Sequence, residues 1–265
     1  MPSDLVFLGK GNYGNVFFDR DKGVAVKRMR HTLNSSDGLS VTAMREVRIL
    51  HTLRPHPNVM HVIDARLDDE HIVLEVEYLP YTLRSLLTRS RICRPEAARM
   101  TFELFTGLAH CHAHGIMHRD IKPENLLFSS SCRLKLADFG LAREVLDALP
   151  DDDARAYTPQ MVSLWYRAPE VLMNQPYGMK VDIWSAGCVV GEIYRGRPLF
   201  PGDSEVGMLQ LTTPTAVAVV TTLLDDDDAD ALEVVEACLA IAGTRISADD
   251  ALGKALLVEA STRVD

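Results

Sequence analysis

The chain has 265 residues, 47% hydrophobic and 25% charged, which suits a folded protein with a large core and excludes a disordered or collagen-like one. No apolar run reaches the roughly 18 residues of a membrane span, the start MPSDLVFLGKG lacks a secretory pattern, and five scattered cysteines without a CxxC pair point to a reducing, intracellular setting. The net charge of −9 sits mainly in residues 203–265, with 3 Lys/Arg against 13 Asp/Glu, so neither a nucleic-acid partner nor a membrane partner is expected. The first eighty residues read as strands with one helix. DLVFLG and NVFFD flank GKGNYG, and GVAVKRM follows the turn DRDKG. VTAMREVRILHTL carries Val41, Met44, Val47 and Leu50 at helical spacing, and HVIDARLDD and HIVLEVEYL read as two further strands. After Tyr81 the pattern turns helical. EAARMTFELFTGLAHCHAHG has apolar Met100, Leu104 and Leu108 and a stop at Gly115, and VDIWSAGCVVGEIYRG reads as a buried helix. A β-rich front and an α-rich back make an α+β fold, divided here as residues 1–80 and 81–265.

The chemistry begins with Gly9, Gly11 and Gly14 in a GxGxxG pattern between two strands. Such glycines let backbone N–H groups approach phosphate oxygens, although alone the pattern fits a plain turn as well. A strand follows rather than a helix, which removes the dinucleotide reading. Lys27 lies on that following strand, where alternation puts Val24 and Val26 on one face and Ala25 and Lys27 on the other. A lysine placed there reaches phosphates under the loop if a carboxylate holds it, and Glu46 on the next helix is the candidate.

The stretch HCHAHGIMHRDIKPEN holds four histidines. His110 and His114, four apart, have metal-ligand spacing, but no third ligand stands out. The competing reading is HRDIKPEN: Asp120 as acceptor of a hydroxyl proton, Lys122 as neutraliser of phosphate charge, and Asn125 as an Mg²⁺ ligand. Asp138, in DFG, is a second candidate Mg²⁺ ligand.

The set GxGxxG, VAVK, HRDxxxxN, DFG and APE (Ala168–Glu170) resembles the protein-kinase signature, from about Asp4 to Glu205. DGLSVTAMREVRIL is similar to the cyclin-binding helix of cyclin-dependent kinases. YTPQMVSLWYRAPEVL and GRPLFPGDSE also resemble that branch of the CMGC group. The resemblance implies a two-lobed fold and a serine/threonine kinase using ATP and Mg²⁺. ATP would lie under Leu8, Gly9, Lys10, Gly11, Asn12, Tyr13, Gly14, Asn15 and Val16, with adenine against the backbone of Glu77 and Leu79 and Val76 as gatekeeper. Lys27, pinned by Glu46, would hold phosphates; Asp120 and Lys122 would act on the transferring group; Asn125 and Asp138 would hold the metal. The likeness further implies an activating kinase for Thr158, with Arg45, Arg119 and Arg143 receiving the phosphate, and a cyclin-like activator on the helix around Val41–Leu53. Protein substrates with Ser/Thr-Pro sites follow from Arg167.

Asp182 resembles the aspartate that braces the catalytic loop, and Arg245 is the candidate partner of Glu170. Trp165, Trp184 and Phe200 are expected in the core. The pattern departs after Glu205, where the C-lobe reads as shortened or divergent: RISADDAL comes early, and DALEVVEACLAIAG stands in for a core helix. That leaves a trimmed C-lobe or a sequence missing its middle, and with it two other readings: a cyclin-independent kinase of the same group, or a pseudokinase scaffold. Thr82 also departs, standing where a polar ribose contact, often aspartate, is usual.

Overall fold

The computed structural model describes residues 4–11, 14–30, 41–68, 71–145, 164–214 and 229–254. The alternating apolar runs of the front form one antiparallel sheet. Its strands are β1 (Leu5–Gly11), β2 (Gly14–Asp19), β3 (Val24–Arg30), β4 (Val62–Leu67) and β5 (His71–Glu77), in the order β1-β2-β3-β5-β4. The alternation on β3 holds: Val24 and Val26 pack with Val73 on one face, while Ala25 joins the main core on the other and Lys27 is buried there.

Helix α1 (Val41–Thr52) forms where periodicity predicts it. Ala43, Glu46, Ile49 and Leu50 are buried, followed by Leu53, whereas Met44 is exposed. The 3.6-residue repeat fixes a stripe only when its polar member is counted, and here the buried stripe contains Glu46. Met44 and Val47 instead line a groove with Leu67 and Ile72 on the outer side of the helix and β4.

Short strand β6 (Tyr81–Thr82) leads into α2 (Leu83–Leu87), whose first turn is closed by a capping box between Thr82 and Ser85. Helix α3 (Arg94–Ala113) buries Met100, Leu104 and Leu108 as its spacing requires, and Gly115, at φ 70°, turns the chain after it. The small strands β7 (Ile116–Met117), β8 (Leu126–Phe128), β9 (Leu134–Leu136) and β10 (Arg143–Glu144) follow, with β7 paired to β10 and β6-β8-β9 forming a second sheet.

Five helices complete the larger lobe among the described residues: α4 (Pro169–Leu172), α5 (Lys180–Arg195), α6 (Glu205–Leu211), α7 (Ala229–Cys238) and α8 (Ala248–Leu252). Helix α5 is buried nearly throughout and packs on α7, where Gly187 leaves room for Cys238: a Cβ at 187 would come within 2.6 Å of the Cys238 Cβ. Trp184 and Phe200 are core residues, as expected, but Trp165 is 36% exposed, its indole N–H donating to the Gly202 carbonyl at 2.8 Å. Among the described residues no helix is long and apolar enough to cross a membrane. All five cysteines are free thiols.

The histidine-rich end of α3 does local structural work. His110 and His114 rings lie 4.4 Å apart, and His56 stacks on His110 at 4.2 Å. The His110 Nε2 bonds the Leu53 carbonyl, tying the end of α1 to α3, and His56 Nδ1 accepts the Asn58 N–H. Burial, then the neighbouring His110, Lys135 and His114, lowers the His56 pKa to about 4, while Lys135 itself pairs with Glu77. A histidine depressed in the fold costs stability as pH falls from its unfolded value of about 6.5, because only the unfolded chain gains the proton readily. Thermal melts are therefore expected to show His56→Phe losing about 1 kcal/mol less stability than wild type between neutral pH and pH 4, a figure reduced for the half-exposed ring. Parallel pH profiles for the two proteins would rule the effect out.

Candidate active site

The β1–β2 hairpin closes over one side of a cleft. Gly11 faces Gly14, Lys10 faces Asn15 and Gly9 faces Val16 in register; Asn12 and Tyr13 lie outside the described residues. Position 14 must be glycine, since a Cβ there would sit 2.2 Å from the Arg28 carbonyl oxygen, whereas a Cβ at Gly9 would meet nothing within 4 Å. Leu8, Val16 and Val76 give the cleft apolar walls, Glu77 and Leu79 line its inner end, and Asn125 and Asp138 its opposite side, around an open space of about 760 Å³.

Lys27 reaches into this cleft from β3. Its Nζ lies 2.7 and 2.9 Å from the two Glu46 oxygens and 3.1 Å from Asp138 Oδ1. Burial alone would drive the ammonium toward neutrality, but the Glu46 charge and then Asp138 overcome it, and Lys27 is held charged above its ordinary pKa. Burial likewise works against the Asp138 carboxylate, and Lys27 reverses it, so Asp138 stays ionised below the usual range. Asp138 adopts the left-handed region at φ 58°, which only a supporting environment holds in a non-glycine residue. The turn Phe139–Leu141 that follows packs on α1, so Glu46 and Asp138 are positioned by the same contact.

The loop after β7 is organised by Asp182 of α5. Its carboxylate, fully buried, accepts the His118 N–H at 2.8 Å and the Arg119 N–H at 2.7 Å, and the His112 Nε2 donates to it at 3.0 Å. Burial opposes its charge; the His112 hydrogen bond and the other donors win, and its pKa is lowered. This anchor holds Arg119 at φ 70° and aims the next residue outward. His118 joins the two acidic segments, donating from Nε2 to the Ala137 carbonyl at 3.0 Å and accepting the Asp120 N–H at Nδ1.

Asp120 itself is surrounded on one side only. Its Oδ2 accepts from Lys122 Nζ at 2.9 Å and from Asn125 Nδ2 at 2.7 Å, while Oδ1 is buried with no hydrogen-bond partner among the described residues. Burial, opposed by Lys122, pushes its pKa above the ordinary carboxylate value. The Asn125 amide also donates to the Asp120 carbonyl at 2.8 Å, which turns its oxygen away from these acceptors and leaves it available to a cation. Asp138 has one oxygen on Lys27 and a second to offer. Two hard oxygen donors of this kind suit Mg²⁺, which retains waters and borrows phosphate oxygens for the rest of its shell.

A second cleft opens on the other side of Asp120, lined by Lys122, Tyr166, Arg167, Tyr177 and Glu205. Arg167 is mostly buried and pairs with Glu205 at 3.3 Å. Of the three arginines assigned to phosphate, Arg143 lies opposite Met117 in the β7–β10 pair, two residues from Arg119, and Arg45 is half-buried on α1. Thr158 lies outside the described residues. Glu170 and Arg245 form the expected pair, at 2.6 and 3.1 Å.

Sequence reasoning missed His112 as the third donor to Asp182, and it missed the network of Arg84 with Glu124, Glu192 and Tyr166. His112 stands in the histidine run, but nothing in its spacing points to an aspartate 70 residues away. Thr82, singled out at the ribose position, spends its hydroxyl as acceptor for the Ser85 N–H in the cap of α2.

Compared with known proteins, the chain matches the protein kinase domain family over residues 3–257 and belongs to that family. It is 39% identical over 209 residues to "Cell division control protein 2 homolog 3" of Trypanosoma brucei brucei, an alignment covering 76% of this chain and 65% of that protein.

Proposed function

We propose that this chain is an ATP-dependent protein serine/threonine kinase of the cyclin-dependent type, transferring the γ-phosphoryl group to Ser or Thr followed by Pro. The observation that carries the reading is the half-satisfied Asp120: one oxygen locked by Lys122 and Asn125, the other buried and open, between the cleft of Lys27 and Asp138 and the cleft of Arg167. An acceptor oxygen so placed orients a substrate hydroxyl and takes its proton as the phosphoryl bond forms. Lys122 offsets charge on the moving group, and Lys27, fixed by Glu46, grips the phosphates that remain. Asp138 and Asn125 would hold Mg²⁺, which would neutralise phosphate charge when bound, and the backbone of Glu77 and Leu79 beside Val76 would receive the adenine.

The cyclin-like partner is supported by the groove of Met44, Val47, Leu67 and Ile72, which leaves Met44 50% and Leu67 57% exposed on the outer face of α1 and β4. Arg167 in the peptide-side cleft supports the choice of proline after the target residue. Purified protein with Mg-ATP is expected to phosphorylate a Ser-Pro peptide over its Ser-Ala analogue, faster with a cyclin-type partner added. Absence of transfer with the partner present and Thr158 phosphorylated would sink the reading in favour of a scaffold.

Thr158 is assigned as the activating site. Its phosphate would add about −1.5 to −2 charges and draw Arg45, Arg119 and Arg143 into one arrangement. Thr158→Ala is expected to lower kcat/KM by about tenfold or more, read by peptide kinetics beside mass-spectrometric occupancy of Thr158. Equal turnover, with wild type phosphorylated there, would refute the assignment.

A further inference from the structure

Helix α4 separates two spaces. It turns Val171 and Leu172 to the peptide-side cleft, and Pro169, Glu170 and Met173 to a cavity of about 560 Å³ on its other side. That cavity, bounded also by α5, α6 and the turn after α7, has the volume of a small-molecule site. Its walls are mainly apolar, with Met173, Leu209, Pro214, Leu239 and Ile241 contributing. Met173 and Ile241 are 47% and 63% exposed, so it is reached from solvent.

Trp184 of α5 lines the cavity as well. The residue is 1% exposed, and its indole N–H finds no acceptor among the described residues. A buried donor left unpaired costs about 1–3 kcal/mol. Arg245 lies 5.1 Å over the ring and Phe200 stacks on it at 6.0 Å, which leaves the indole edge, with its N–H, for the cavity. The deeper polar groups around it are already engaged. Glu170 and Arg245 spend their charges on each other, the Thr212 hydroxyl donates to the Met208 carbonyl at 2.9 Å, and the Pro169, Glu170 and Ala240 carbonyls all accept hydrogen bonds. A water molecule needs two to four polar partners to be held, so it satisfies this donor poorly. Exposed Glu236 puts negative charge at the rim, and Arg245, neutralised by Glu170, does not offset it.

We propose that this cavity is a ligand site separate from the active site, for an uncharged, largely apolar molecule carrying a carbonyl group whose oxygen accepts the Trp184 N–H. The carbonyl supplies the missing acceptor, and the apolar remainder covers Met173, Leu209 and Leu239. An anionic ligand gains less, because Glu236 repels it and no unspent cation lines the cavity among the described residues. The inference does not depend on the kinase reading.

The test uses benzophenone and diphenylmethane, alike in shape except that one has a carbonyl where the other has a methylene, with 4-benzoylbenzoate as the anionic counterpart. The chain has two tryptophans, so ¹⁵N-labelled protein gives two indole signals in NMR spectra, assigned with Trp184→Phe. Benzophenone is expected to shift the Trp184 signal and leave that of Trp165 in place, and to bind about fivefold more tightly than diphenylmethane, with 4-benzoylbenzoate the weakest of the three. Trp184→Phe keeps a ring beneath Arg245 and removes the donor, and is expected to bring benzophenone down to the diphenylmethane level. In case that change disturbs the core, Ala242→Phe obstructs the cavity from an exposed lining position with Trp184 untouched, and is expected to weaken both neutral probes about tenfold. Circular dichroism checks the fold of both variants. Equal affinity for the carbonyl and methylene probes, a preference for the anion, a Trp184 signal that stays in place at the solubility limit of benzophenone, or binding undiminished in folded Ala242→Phe overturns the proposal.

Discussion

Asp120→Asn lowers kcat by about 10²–10⁴-fold and leaves the dissociation constant for Mg-ATP nearly unchanged. The side chain is isosteric, and its oxygen can still face Lys122 Nζ and Asn125 Nδ2, so the loop has no reason to move. What is lost is the open Oδ1, which becomes an N–H donor where the incoming hydroxyl needs an acceptor. The same geometry fixes a pH dependence. Burial raises the Asp120 pKa, with Lys122 opposing, and the proton acceptor is the ionised form. Rate must therefore fall on acidification, through an apparent pKa above the ordinary carboxylate value, and Asp120→Asn must lose that limb of the profile. Steady-state kinetics across pH with calorimetric nucleotide binding measures both. Wild-type kcat in the Asn variant, with binding intact, would remove Asp120 from the chemistry.

The sequence told most about groups that chemistry forces into fixed local patterns. Lys27 was readable because β alternation places it opposite Val24 and Val26, and that face proves to be the cleft. Asp120, Lys122 and Asn125 were readable because one short loop carries all three. Glu46 was found as a partner for Lys27, although hydrophobic periodicity does not register that a carboxylate is buried on that helix by a distant lysine. Trp165 was misplaced for a related reason. Its size suggested core, but it stays at the rim because its N–H finds the Gly202 carbonyl there. His112 with Asp182, and Arg84 with Glu124 and Glu192, are separated by 70, 40 and 108 positions. Such pairs are set by how α2, α3 and α5 pack, and no local spacing announces them.

Replacing Arg245 by Met tests how the divergent end of the larger lobe is held together. Its side chain is wholly buried. Two nitrogens meet the Glu170 carboxylate, Nη1 also reaches the Lys180 carbonyl at 2.8 Å, Nε reaches the Ala240 carbonyl at 3.0 Å, and the guanidinium lies 5.1 Å over the Trp184 ring. One residue thus joins α4, the start of α5 and the turn after α7. Arg245→Met leaves Glu170 buried without its cation, and such a loss costs about 3–5 kcal/mol, or a fall in Tm on the order of 10 °C for a chain of this size. Glu170→Gln in the same background removes the stranded charge, so the double variant should recover part of the loss. A double-mutant cycle by denaturant unfolding then gives the coupling directly. Because Lys27, Asp120 and Asp138 lie outside this network, nucleotide binding by the folded fraction should persist at low temperature. A drop below 1 kcal/mol with no recovery in the double variant would mean that the pair is dispensable, and that packing of α7 on α5 holds this end of the lobe alone.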